Sequence, residues 1–162
     1  MTFAVHTLPG CQPIAETSAT QKHVLGTIVR ATDPSLGEGE FIYLLGVTST
    51  TVGSIVRYDV LFQSALATTA ATGPSFPCAV AMSANVGTYY GWYQISGMAV
   101  AVKAADTSFA VGAGLGCTAG VAVAVATGCL LQNAVARTAP HSTTTNLTLG
   151  LVINRPSNLD YK

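Results

Sequence analysis

Tyr89-Tyr90-Gly91-Trp92-Tyr93-Gln94-Ile95 continues through Ser96-Gly97 into Met98-Ala99-Val100-Ala101-Val102. The first half is aromatic, and the second alternates small and β-branched apolar residues. Both compositions suit a pleated, half-buried surface. Ser96-Gly97 between them predicts a tight hairpin, because Gly accepts the positive φ that such turns need. The device recurs where Val121–Ala126 meets Cys129–Ala136 through Thr127-Gly128. Around these segments lie further β-prone runs at His23–Arg30, Glu40–Leu45, Ser54–Phe62, Cys78–Met82 and Asn146–Ile153. Turn residues separate them: Asp33-Pro34-Ser35 with Gly37-Glu38-Gly39, then Gly53, then Gly73-Pro74 with Pro77, and finally the Arg155-Pro156 stop. Ser64–Thr72, rich in Ala and Thr, reads either as a loop or as a short helical turn. No segment of ten or more residues carries a 3.6-residue apolar stripe. The expected fold is all-β, a jelly-roll-like sandwich or small barrel of about eight short strands. Residues 1–21, with Pro9, Gly10 and Pro13 and no sustained periodicity, read as an extended N-terminal arm on a single β-domain, 22–162.

The composition of this 162-residue chain narrows the function classes. Only 9% of residues are charged, seven basic against seven acidic, while 49% are hydrophobic. A chain of this size folds to roughly 7,500 Å² of surface, on the order of 500 Å² per charge. Zero net charge argues against a nucleic-acid binder, whose phosphate affinity comes from Lys and Arg. It argues equally against a disordered solubilising tail. Charge is absent from Val60–Val102 and from Thr107–Ala136. Within the latter region Phe109–Leu131 is long enough to span a bilayer, but its five glycines and Val/Ala alternation describe strands and turns. No membrane partner is therefore expected. Met1–Pro9 lacks a basic region followed by an apolar core, so the sequence reads as made and kept in the cytoplasm of the producing cell.

Reactive constellations are missing. Cys11, Cys78, Cys117 and Cys129 form no C-x-x-C pair and read as inert thiols, and His6, His23 and His141 are scattered, so no metal site is expected. Gly114-Leu115-Gly116-Cys117-Thr118-Ala119 fits G-x-G-x-x-A but runs on into Val/Ala alternation, and the next acid is Asp160. Glu38 and Glu40 flank Gly39 in what reads as a solvated turn, and Asn146-Leu147-Thr148 is a glycosylation sequon without a secretory context. The chain is expected to have no catalytic residue, no cofactor and no enzymatic activity.

Four of the twelve aromatic residues, Tyr89, Tyr90, Trp92 and Tyr93, crowd into five positions. In a strand they would divide between two faces, one for the core and one for a subunit interface. A sugar platform or base-stacking site is the competing reading, because flat rings stack on sugars and bases. Phe3, Pro9 and Pro13 of the arm complete the candidate interface.

Ala79–Val86, Tyr90–Gly97 and the alternating run after it resemble the small head-decoration, or cement, proteins of tailed bacteriophages. Gly39–Val47 with Gly53–Tyr58 resembles the segment that precedes them there, so the likeness covers about residues 38–136. It implies a jelly-roll-like domain that oligomerises as a dimer or trimer. Such a domain binds the outer surface of a viral capsid and cements neighbouring copies of the major capsid protein. The expected location is then the virion, with the arm lying along a neighbour or the shell. The alternative is a carbohydrate- or receptor-binding module on the virion surface that uses Tyr89–Tyr93.

Overall fold

Phe41, Ile42, Tyr43 and Leu44 are buried in succession, which a strand achieves only when both of its faces are covered. A computed structural model describes residues 3–6, 8–68, 75–105, 107–125, 130–137 and 148–159 of the chain. Among them are twelve strands and no helix. In chain order these are β1 (Ala4–Val5), β2 (Thr17–Ser18), β3 (Ile28–Asp33), β4 (Gly37–Gly46), β5 (Ile55–Tyr58) and β6 (Gln63–Leu66). The others are β7 (Phe76–Ala81), β8 (Tyr90–Val102), β9 (Gly114–Thr118), β10 (Val121–Ala124), β11 (Leu130–Ala136) and β12 (Thr148–Leu159). The all-β architecture agrees with the sequence reading. The strand number exceeds it because β1, β2 and β6 are too short to carry a periodic signal.

Pairing closes two circuits. In the first, β4 pairs with β6 in parallel, β6 with β5, β5 with β7, β7 with β8, and β8 returns to β4. Ile42, Leu44, Val56, Ala79, Ala81, Tyr93 and Ile95 fill it. In the second, the later half of β8 pairs with β12, β12 with β11, β11 with β9 and β9 with β10. A bridge from Ala122 to Lys103, just past β8, completes it. Its core includes Ala99, Leu115, Cys117, Leu131, Leu149 and Leu151. Strands β5 and β7 form a wall shared by the two cores. Ile55, Cys78 and Val80 face the second core, while Val56, Ala79 and Ala81 face the first, as period-2 alternation requires. At the seam Lys103 is buried, its Nζ donating to the carbonyls of Thr107 and Ala104 at 3.2 and 3.5 Å.

Ser96-Gly97 does not make a hairpin turn. Gly97 takes a φ of +101°, yet β8 runs through it as one strand. The residue opposite slips register between Glu40 and Phe41, so the glycine serves a bulge that lets β8 leave β4 and join β12. Each half of the run finds a different partner, so neither needs to fold back on the other. Nor are β10 and β11 partners, because β9 lies between them; the Thr127-Gly128 joint lies outside the described residues, as do Cys129, His141 and the asparagine of the sequon. Ser64, in the segment read as loop or helical turn, belongs to β6. β12 does not stop at Arg155-Pro156 but continues to Leu159 through a positive φ at Arg155. Glu38 and Glu40 lie in β4 instead of a turn, and Glu40 bridges Arg30 and Arg155, each at 3.2 Å.

The arm also departs from expectation. Its described residues fold back onto their own domain, with β1 on β3 and β2 on β8. Ile14 is buried with Phe41, Tyr43, Met82 and Trp92, while Phe3, Val5, Leu8 and Cys11 pack around them. Gln12 holds the segment down. Its backbone N–H donates to His23 Nε2 at 3.1 Å and its side-chain amide to the Glu16 carbonyl at 2.7 Å. Its Oε1 accepts from the Tyr43 hydroxyl at 3.1 Å. The arm is a lid on the core because β4 and β8 carry large rings on the face it covers.

Candidate interaction surface

The aromatic run that suggested an interface is mostly interior. Trp92 and Tyr93 are 0% exposed. Trp92 sits under the arm, its ring 4.9 Å from that of Tyr43 and 5.4 Å from that of His23. Tyr93 points into the first circuit, where its hydroxyl meets Ser64 Oγ at 3.3 Å and accepts from Asn85 Nδ2 at 2.9 Å. Burial pushes its phenol above the ordinary range, against the lowering influence of those hydrogen bonds. Both are therefore corrected from interface to core. From Gly91 to Ile95 both faces of β8 are covered within one chain, while Met98, Val100 and Val102 stay half-buried. Tyr90 is half-buried and stacked on Tyr43, and Tyr89 is 37% exposed at the strand's start. Phe3 is half-buried with its ring 4.7 Å from that of Phe41, so it too belongs to the core. Pro9 and Pro13 are exposed. The seven candidates do not converge on one surface.

The most exposed large apolar side chain, Val60, lies elsewhere, beside Leu61 on the turn between β5 and β6; Val24, before β3, is 76% exposed. Val60 is 91% and Leu61 63% exposed. The turn is built from Asp59, whose Oδ1 accepts from the backbone N–H of Leu61 at 2.9 Å and of Gln63 at 3.0 Å. Phe62 adopts a φ of +59°, and its carbonyl accepts from the Leu45 N–H at 3.0 Å. Its ring lies against Gly26, where a Cβ would come within 2.4 Å of it. Anchored on both sides, the turn holds Val60 and Leu61 in water at fixed positions. Reading Ser54–Phe62 as one strand missed it. The available signal was Asp59, whose short carboxylate caps backbone amides two and four residues later.

Two hollows flank this turn and share Tyr58, Asp59 and Phe76. One, of about 440 Å³, is lined by Tyr58, Val60, Phe62, Phe76 and Pro77 beside Asp59 and Ser75. The other, of about 280 Å³, adds Val47, Arg57, Gln63, Ser64 and Ala65. The Arg57 guanidinium lies 4.9 Å from the centroid of the Phe76 ring. Burial raises the Tyr58 phenol above its usual range, the Cys78 thiol adding to the rise and the charge of Arg155 pulling it back.

This surface offers apolar area and hydrogen-bonding groups, with no nucleophile–base pair. Among the described residues no three His, Cys, Asp or Glu side chains gather as metal ligands, and no helix is long and apolar enough to cross a membrane. Cys11, Cys78 and Cys117 form no disulfide with one another, and burial raises the Cys11 thiol above its usual range. Comparison with protein-family models, curated proteins and solved structures finds no match to this chain.

Proposed function

We propose that this chain is a non-enzymatic structural protein that binds the outer surface of a bacteriophage capsid and ties neighbouring copies of the major capsid protein together. The observation that carries this reading is the β5–β6 turn. A chain with 14 charges in 162 residues holds two large apolar side chains in water on a rigid, doubly anchored loop. Isolated apolar side chains on a surface need no explanation, but a braced apolar projection flanked by hollows has the form of a contact element. The resemblance across residues 38–136 names the kind of partner. Stabilisation follows from mass action, because a protein that binds only the assembled lattice lowers the free energy of the lattice relative to its parts. Repetition over the shell multiplies contacts that are weak singly. Copies meet as a symmetric dimer or trimer on the shell axes. The glycan- or receptor-binding alternative retains only Tyr89 and the open part of Tyr90 from its original aromatic platform.

The test is co-sedimentation with intact shells assembled from the accompanying major capsid protein. Wild type pellets with the shells, whereas Leu61→Asp, with an unchanged circular dichroism spectrum, stays in the supernatant. Wild-type protein that remains in the supernatant beside intact shells overturns the proposal.

A further inference from the structure

Arg57 is the unusual group on this surface. It lies in β5 between Ala65 of β6 and Cys78 of β7, half-buried, with its guanidinium on the Phe76 ring. Among the described residues it makes no side-chain hydrogen bond and no ion pair. The Phe76 ring lies on one side of the guanidinium, whose N–H groups have no partner among the described residues. An arginine held this way is pre-organised for a bidentate carboxylate. The only anion lining the same hollow is Asp59, whose Oδ1 is already engaged by two backbone amides. The Tyr58 hydroxyl and the Gln63 amide, on the same rim, also lack side-chain partners among the described residues.

We infer that the two hollows form one docking site for a protein segment in which an acidic side chain neighbours an apolar one. The carboxylate pairs with Arg57, and the apolar side chain enters the neighbouring hollow between Tyr58, Phe62, Phe76 and Pro77. Charge complementarity sets the first half of the motif, because a half-buried cation that forms no ion pair among the described residues attracts an anion from outside. The apolar hollow sets the second half and separates a peptide from an acidic sugar, which would leave that hollow unfilled. This rests on the proposed function in taking the ligand to be a protein.

The experiment titrates ¹⁵N-labelled full-length protein with N-acetyl-Glu-Leu-amide, N-acetyl-Gln-Leu-amide and glucuronic acid. The expected result is a saturable shift of the Arg57 Nε–H and Val60 amide resonances with the Glu-Leu probe. The Gln-Leu probe and glucuronic acid should bind roughly tenfold more weakly. Arg57→Gln, checked by its otherwise unchanged spectrum, should abolish the difference between Glu-Leu and Gln-Leu. Asp59→Asn keeps an oxygen to cap the turn but removes the competing charge, so it should tighten Glu-Leu binding. Equal binding of the two peptides, stronger binding of glucuronic acid, or a Glu-Leu preference that survives Arg57→Gln overturns the site. Such results with wild type still pelleting on shells overturn this inference alone. Failure of wild type to pellet removes the proposed function and leaves the peptide result standing.

Discussion

Trp92 donates its indole N–H to the carbonyl of Gln12 at 3.0 Å, across 80 residues of chain. The bond joins the centre of β8 to the segment that covers it, and the rings of Tyr43 and His23 close around the indole. Removing residues 1–20 would uncover Trp92, Tyr43 and Phe41 and leave the indole N–H without its acceptor. Burying rings of this size contributes about 1.5–3 kcal/mol each. The truncated protein should therefore be strongly destabilised, with its single tryptophan emitting at longer wavelength. A truncation with wild-type melting temperature and emission would show that the arm only decorates the domain.

Gln12→Ala tests the same lid with one residue. It removes the amide bond to Glu16 and the acceptor for the Tyr43 hydroxyl, which keeps the Lys22 N–H at 3.3 Å as a partner. A net loss of about 1–3 kcal/mol in urea denaturation is expected, since each buried hydrogen bond contributes about 1 kcal/mol.

Gly97→Ala should be among the most damaging single substitutions. Its φ lies where L-residues are strained by about 1–2 kcal/mol, and a Cβ would stand 2.5 Å from the Glu38 carbonyl oxygen. Because that oxygen is backbone, relief requires β4 and β8 to separate. Denaturant titration should show a loss of about 2 kcal/mol or more; retention of full stability would contradict the bulge geometry.

Alkaline pH should unfold the protein through its phenols. Burial raises Tyr43, Tyr58 and Tyr93, so each holds its proton longer when folded than when unfolded. Stability from this source is complete below the unfolded value near 10 and declines as pH rises above it. Unfolding followed by circular dichroism should accompany the appearance of phenolate absorbance above about pH 10. Tyr93→Phe should move the transition upward in pH, at the cost of leaving Asn85 Nδ2 without its acceptor.

Attachment to the shell should survive high salt. Screening reaches about 10 Å at 0.1 M and about 3 Å at 1 M ionic strength, which strips a long-range attraction but spares a desolvated pair and apolar contact. Complexes washed in 1 M sodium chloride should stay intact and release protein first in guanidinium. Release by sodium chloride alone, with both partners folded, would place a charged patch in control of binding.

What the sequence disclosed and what it hid divide along a physical line. The Phe41–Leu45 and Trp92–Ile95 runs were legible as strands, because the preference of aromatic and β-branched residues for a pleated, packed surface is a local property. Gly97 was read correctly as a positive-φ position but assigned to a turn. Local propensity specifies the dihedral, while the partners available on either side of β8 decide whether it makes a turn or a bulge. The lid over Trp92 depends on isolated residues, Phe3, Gln12 and Ile14, spaced among prolines with no period to detect. The contact surface was misplaced for a related reason. Aromatic density marks buried area, and which chain buries it is a tertiary fact. Asp59 and the apolar triplet after it were visible, but were absorbed into the strand before them.

β8 belongs to both circuits, and β5 and β7 wall both cores, so no cut through the chain releases one half with its interior intact. A pull on the β5–β6 turn passes through β5 and β7 into the hydrogen-bonded rows of β8 and onward to β12, instead of opening a hinge between lobes. The two cores are thereby coupled, so that load on one is carried by the other.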